Sequence, residues 1–517
     1  MKLYEPEFVI ALRYSRRQFL HIMGVSGAAL LGAKYLSACS PHTAAAQPMN
    51  TTRNPDVEIA LRAIQDDIPI LGNQTTRVWR YTGEVLQGDP ATLQPLPQTY
   101  LGPILHLEKG QTVRVNFTND LPEESIIHWH GMHVPPNADG HPDLAIQPGE
   151  TYRYDFTVAD RAGTYWYHPH PHGRTGPQAY AGLAGLVLVH DDQERLLDLP
   201  SGDFDIPLVI QDRTFNTTSQ LVYSGLGMMD QMLGFLGESI LINGQPDVEL
   251  KLSSTAYRLR LLNGSNSRIY KLAWEDGSPF TVIATDGGLL EKPVQRNYLT
   301  LAPAQRREIW VDLSDKPVGT RLRLVSLPAD IPGGGSGFPI LGITIAKEGN
   351  SNSTLSKNLS PMGRRQEADA VNRLNPRIFD LVMGRGMQWT INGRTFEMMD
   401  VARDEVVKLG DLEVWEFRNR SGGMGMSGMM NLPHPMHIHG LQFQVIERQV
   451  ESALRSTWST VADGLVDEGW QDTVLVMPGE RVRVLLKFED FSGLYLYHCH
   501  NLEHEDMGMM RNYRINA

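Results

Sequence analysis

At a soft ~150 residues per domain, a chain of 517 residues has room for about three domains, and 41% hydrophobic with 21% charged residues is a globular balance. Asp and Glu (59) outnumber Lys and Arg (47), and the net charge of −12 argues against a nucleic-acid partner, since phosphate binding needs a basic face. Only two cysteines occur, Cys39 and Cys499, so no disulfide framework organises the chain; 17 histidines and 21 methionines are its metal-relevant residues.

The N-terminus carries Ser15-Arg16-Arg17-Gln18-Phe19-Leu20, a twin-arginine signal, followed by an apolar stretch up to Leu36. That stretch is shorter than the ~20 residues that span a bilayer, and Lys34 interrupts it. Two cleavage sites compete. Leu36-Ser37-Ala38-Cys39 resembles a lipobox, which makes Cys39 a lipidated N-terminus. Thr43-Ala44-Ala45-Ala46 offers an ordinary small-residue site, which discards Cys39. The lipoprotein reading is preferred because it gives Cys39 a role. Residues 1–46 are therefore expected to be an export signal, placing the chain in the periplasm or cell envelope.

From Val57 onward, short alternating runs are broken by Gly, Pro, Asn and Asp, as in segments 106–119, 150–158 and 480–488. Period-two alternation means half-buried strands, and many short strands with frequent turns predict an all-β chain of sandwiches. An internal repeat sharpens this. Segments 146–170 and 476–500 each hold Pro-Gly-Glu, two alternating strands, an aromatic run and His-x-His. The spacing from Pro148 to His168 equals that from Pro478 to His498. A weaker copy follows Pro303 as QRREIWVDL, without a histidine pair. A second echo links VRVNFTN (113–119) with LEVWEFRN (412–419). Three copies of one sandwich are expected, the middle one stripped of ligands. The boundaries predicted are 54–195, 203–350 with a glycine-rich loop at 333–337, a polar linker at 351–375, and 376–517.

Four clusters offer ligands: His128-Trp129-His130; His168-Pro169-His170; His434-Pro435-Met436-His437-Ile438-His439; and His498-Cys499-His500 with His504 and Met509. On a strand, His-x-His puts both imidazoles on one face and the residue between them on the other. Cys499 thus faces away from His498 and His500, so one strand can serve two metal sites back to back. Cys499 and His504 with a further histidine and a weak axial Met509 make a blue-copper set. Imidazole with thiolate suits copper, whereas zinc needs only four ligands. Ten histidines and a cysteine exceed any mononuclear demand.

On these four motifs, in this order, the sequence resembles the three-domain multicopper oxidases of the bacterial laccase and cuprous-oxidase type, over essentially the whole mature chain. The resemblance implies cupredoxin-like Greek-key sandwiches and four coppers per chain: one type 1, one type 2 and two type 3. It implies that His434, Cys499 and His504 bind type 1 copper with Met509 axial. It assigns His128 and His437 to type 2, and His130, His168, His170, His439, His498 and His500 to the type 3 pair. It implies one-electron oxidation of phenolic or aromatic amine donors coupled to four-electron reduction of dioxygen to water. Asp139, nine residues after His130, and Glu505, next to His504, stand where the family's acids relay protons, and an acid beside a reduction site can act as a general acid. Asp472, in GWQDTV, is expected to play a structural role in support of a ligand, and His133, His141 and His172 to be surface or supporting histidines. Met424, Met426, Met429 and Met430 offer thioethers suited to Cu(I), so a cuprous oxidase in copper tolerance is the alternative. No acid lies between Ser421 and Pro433, which keeps the laccase-like reading first. A non-catalytic copper carrier or structural exported relative is the third reading, and neither needs Cys499 flanked by histidines.

Overall fold

The computed structural model describes residues 54–223, 232–332, 334–349, 354–384, 388–421 and 431–517. The twin-arginine motif, both cleavage sites and the methionines between Met424 and Met430 lie outside these residues.

The alternation read in the sequence becomes sheet. Thr112–Asn119 buries every second side chain, Val113, Val115, Phe117 and Asn119, as a strand with one face on a core must. It lies between Val57–Leu71 and Thr151–Thr157 in a four-stranded sheet completed by Gln74–Gln87. A five-stranded sheet carries Ile127–His130 at its edge, next to Gly163–Pro169, with Gly185–His190 beyond it. Inward residues of both sheets, among them Val115, Tyr154, Trp129 and Val187, form one core. The middle region (residues 205–348) pairs a seven-stranded with a five-stranded sheet over its own core. The last region (377–516) pairs two five-stranded sheets. Smaller apolar clusters join the regions: Ile68, Leu186 and Val209 in one, Ala302, Val461 and Leu475 in the other. Among the described residues, no helix is long and apolar enough to cross a membrane.

Register places the ligand strands side by side. Ile127–His130 runs antiparallel to Gly163–Pro169 with His128 opposite His168. His434–Ile438 runs antiparallel to Gly493–Cys499 with His437 opposite His498 and Met436 opposite Cys499. The middle sandwich has the same neighbours in the same order, Tyr270–Trp274 beside Arg321–Ser326, with Leu272 opposite Ser326. There the inward positions are Tyr270, Leu272 and Leu324, all core residues.

The polar run expected as a linker is fastened down where described. Leu359 joins the middle core. Arg161 of the first sandwich donates to the Ser360 hydroxyl (2.9 Å), and the Trp470 indole of the third donates to the Met362 carbonyl (2.9 Å).

Candidate metal centre

Two strands and one turn of helix assemble the smaller site. Cys499 ends its strand, His434 begins the neighbouring one, and His504 stands in the helix Leu502–Asp506. The Asn501 side chain caps that helix by accepting the His504 backbone N–H (3.3 Å). The Cys499 Sγ lies 3.5 Å from His434 Nδ1 and 3.6 Å from His504 Nδ1, and the two nitrogens are 3.2 Å apart. His504 Nε2 donates to the Met232 carbonyl (2.8 Å), which leaves Nδ1 as a lone pair aimed at the other two. The Trp389 ring stands against both imidazoles, at 4.7 and 4.8 Å, and its indole N–H also reaches Met232 (3.1 Å). Met509 is fully buried in the core that holds Cys499, and its carbonyl accepts the Cys499 N–H (3.0 Å). Burial pushes the Cys499 thiol up, partly offset by the Asn501 N–H on its sulfur, so it stays protonated until a cation replaces the proton.

Behind Cys499, eight histidines from the first and third sandwiches converge: His128, His130, His168, His170, His437, His439, His498 and His500, none more than 1% exposed. Backbone carbonyls fix the tautomers. His128 donates through Nδ1 to the Asp139 carbonyl (2.6 Å) and His437 to that of Asp472 (2.8 Å). Their Nε2 lone pairs then face each other at 3.2 Å. His168 and His498 likewise give Nδ1–H to carbonyls, of Pro169 (2.9 Å) and Cys499 (3.1 Å). His498 Nε2 lies 3.0 Å from His439 Nε2 and 3.4 Å from His170 Nε2, and His168 Nε2 lies 3.4 Å from His130 Nδ1. Both ring nitrogens of His500 are buried without a partner, its ring 5.0 Å from His130 and 5.2 Å from His168. Burial lowers His168 to about 4 and His170 to about 3, and holds His128, His130, His437, His439 and His500 well below the usual range, so these rings are neutral. Neutral rings that turn their lone pairs toward one another in a dry interior repel unless cations lie between them. The donor set therefore fits bound metal, and with a thiolate beside it the fitting metal is copper.

The two acids touch different histidines of this cage, and their carboxyls are shifted in opposite directions. Asp139 Oδ2 lies 2.8 Å from His439 Nδ1, and burial raises its carboxyl well above the usual range. Glu505 Oε2 lies 3.0 Å from His498 Nδ1 and Oε1 3.5 Å from His170 Nε2. Burial raises Glu505 too, but its contacts with His498, whose ring N–H it accepts, and His170 outweigh it and hold the carboxyl well below the usual range. Environments that drive two acids apart make one a proton donor and the other an acceptor.

Asp472 stands behind the cage. It takes His130 Nε2 (2.9 Å) and both terminal nitrogens of Arg306 (2.9 and 2.5 Å). Arg306 belongs to the ligand-free copy QRREIWVDL and was not singled out by sequence. Its buried guanidinium is the middle sandwich's contact with the cage. His133 is held by the Gly440 carbonyl and Asp490, His141 by Asp143 and Asn512, and His172 is exposed against Phe396. Among the described residues none of these three joins a metal-ligating group.

A cysteine–histidine set back to back with a histidine cage along one strand is a donor arrangement suited to copper. Comparison with known proteins leads to the same metal. Family models described as multicopper oxidase match residues 78–194 and 371–517. The chain is 34% identical over 415 residues to multicopper oxidase mco of Staphylococcus haemolyticus, covering 80% of this chain and 82% of that protein. It is 28% identical over 499 residues to a laccase of Bacillus subtilis, covering 84% and 90%. The crystal structure of McoA multicopper oxidase from the hyperthermophile Aquifex aeolicus matches with a TM-score of 0.76 at 36% identity, covering 90% of this chain and 97% of that one. The chain belongs to the multicopper oxidase family and is an oxidoreductase.

Proposed function

We propose that the protein is a laccase-like oxidase that takes electrons singly from phenolic or aromatic amine donors and delivers four of them to dioxygen, which with four protons becomes two waters. The observation that carries this is the strand Gly493–Cys499 and the residue after it. Cys499 faces the His434–His504 set while His498 and His500 face the cage. A few bonds of one backbone then connect the site that receives electrons with the site that reduces oxygen.

The ligand sets we propose are His434, Cys499 and His504 with axial Met509 for a type 1 copper, His128 and His437 for type 2, and His130, His168, His170, His439, His498 and His500 for a type 3 pair, four coppers in all. Bound copper supplies one-electron redox chemistry at both places. The protein's own acids supply the protons. Asp139 holds one beside His439, and Glu505, ionised beside His498, accepts the next from solvent and passes it on. The sandwiches are read as domains spanning 54–195, 203–350 and 376–517, exported by the twin-arginine route with Cys39 as the lipid anchor. Mass spectrometry of the mature N-terminus decides the last point: a lipidated start at Cys39 supports it, and a start at Gln47 ends it.

Oxygen uptake by copper-loaded protein tests the function. Uptake with a phenolic donor, at four donor molecules per dioxygen, is expected; no uptake with any donor would return the carrier reading. One sequence feature favours a second substrate class. Met424, Met426, Met429 and Met430 lie within ten residues of His434 and lie outside the described residues. Their thioethers suit Cu(I). If Cu(I) drives uptake with higher kcat/KM than a phenol, and replacing the four by Leu removes that advantage, the protein is a cuprous oxidase.

A further inference from the structure

Among the described residues, no metal-ligating group draws on the middle sandwich. Yet that sandwich grips the turn carrying two ligands of the Cys499 site. Glu503, next to His504 and 3% exposed, sends its carboxylate into the middle sandwich. There it accepts from the Tyr223 hydroxyl (2.7 Å), the Phe235 N–H (3.0 Å), the Asn266 amide (2.9 Å) and the Ser267 hydroxyl. Four donors are the full complement of an ionised carboxylate. The carboxylate is thus buried with hydrogen bonds rather than a cation around it. Ser267 also donates to Asn501 Oδ1 (3.0 Å), and the Asn501 backbone N–H points at Cys499 Sγ (3.4 Å).

We propose that Glu503, clamped by the middle sandwich, is a positioning residue that lowers the reduction potential of the Cys499–His434–His504 site. A fixed negative charge near a metal favours its more positive oxidation state, and low local dielectric lengthens the reach of that charge. The same clamp fixes the turn through Ser267 and Asn501, so the charge and the N–H bond to sulfur are set together. This rests on the reading of that site as type 1 copper.

The experiment is redox titration of the blue band, with copper analysis and electron paramagnetic resonance, on full-length copper-loaded protein. Glu503→Gln removes the charge and is expected to raise the potential by about tenfold in the Cu(I)/Cu(II) equilibrium, ~59 mV for one electron. Tyr223→Phe and Ser267→Ala leave the charge but strip donors from it, and are expected to lower the potential by a smaller amount. Opposite signs are the signature of electrostatic positioning. Shifts of one sign in both classes, or a Glu503→Gln potential unchanged at full copper content, overturn the proposal. If Glu503→Gln does not load copper, Tyr223→Phe decides alone: a lower potential supports, an unchanged one overturns. A parent protein with no blue band sinks the copper assignment instead, a different failure.

Discussion

The third sandwich and the middle one build the same strand pair at the same point of the same sheet, and use it differently. In the third, His434–Ile438 beside Gly493–Cys499 turns His437 and His498 toward the cage and Cys499 toward the other site. In the middle, Tyr270–Trp274 beside Arg321–Ser326 turns Tyr270, Leu272 and Leu324 into an apolar core. The fold supplies the strand pair; the side chains on its two faces decide whether it carries metal-type donors. What the middle copy lost in ligands it carries as interface. On one strand, Arg306 reaches Asp472 of the third sandwich, and Glu308 takes Thr164 of the first (2.7 Å) with Arg258 and Arg260 beside it.

The largest effect should come from the ligand side of this comparison. Cys499→Ser is expected to abolish the blue band and reduce oxygen uptake to background, read by absorption and an oxygen electrode. On the interface side, Arg306→Ala leaves Asp472 buried without its guanidinium partner. Breaking a buried ion pair costs about 3–5 kcal/mol, read as a lower denaturation midpoint. It should also loosen His130 and lower copper content at the cage while the blue band persists. An unchanged copper count would mean that the middle sandwich only supports the fold. Glu308→Ala should cost a similar amount but leave the copper count alone, because its partners lie away from the cage.

Smaller effects follow pH at the seam between the first and middle sandwiches. His106 meets His190 at 3.3 Å, and His190 meets Glu194 at 2.8 Å. Burial lowers His106 to about 4 from an ordinary 6.5. Between those values the unfolded chain takes up a proton that the folded one refuses, so stability falls as pH falls from 6.5 to about 4. Burial raises Glu194, but His190, Arg258 and Arg260 outweigh it and hold it low. Its stabilisation is complete above its ordinary 4.5 and is lost below, as pH approaches the folded value. Thermal melts from pH 7 to 3 should show both slopes, and His106→Gln should remove the upper one. The smallest effect is expected at the exposed pair Arg62–Asp120, where Arg62→Ala should change stability by roughly 0.2–1 kcal/mol in the same melts.

The converging histidines and Cys499 were legible as clusters because their pattern is local. His-x-His on a strand, a cysteine between two histidines and the repeated Pro-Gly-Glu spacing all lie within short stretches. The alternation of Thr112–Asn119 likewise gave the sheet directly. Arg306 and Glu503 were not legible as partners. Arg306 lies 166 residues from Asp472, and Glu503 lies 236 from Ser267, so nothing near either one signals the contact. Glu503 is further hidden by standing inside a ligand motif, where its neighbours draw the attention. The run at 351–375 reads as linker because its polar residues dominate, while a few apolar anchors, Leu359 and Met362 among them, fasten its described part.

Copper analysis of the fully loaded parent beside Cys499→Ser bears most directly on the paired sites. Four coppers per chain and a blue band in the parent, falling to three without the band in Cys499→Ser, is the predicted result. Far fewer than four in the parent, or a variant that keeps both the fourth copper and the band, would contradict it.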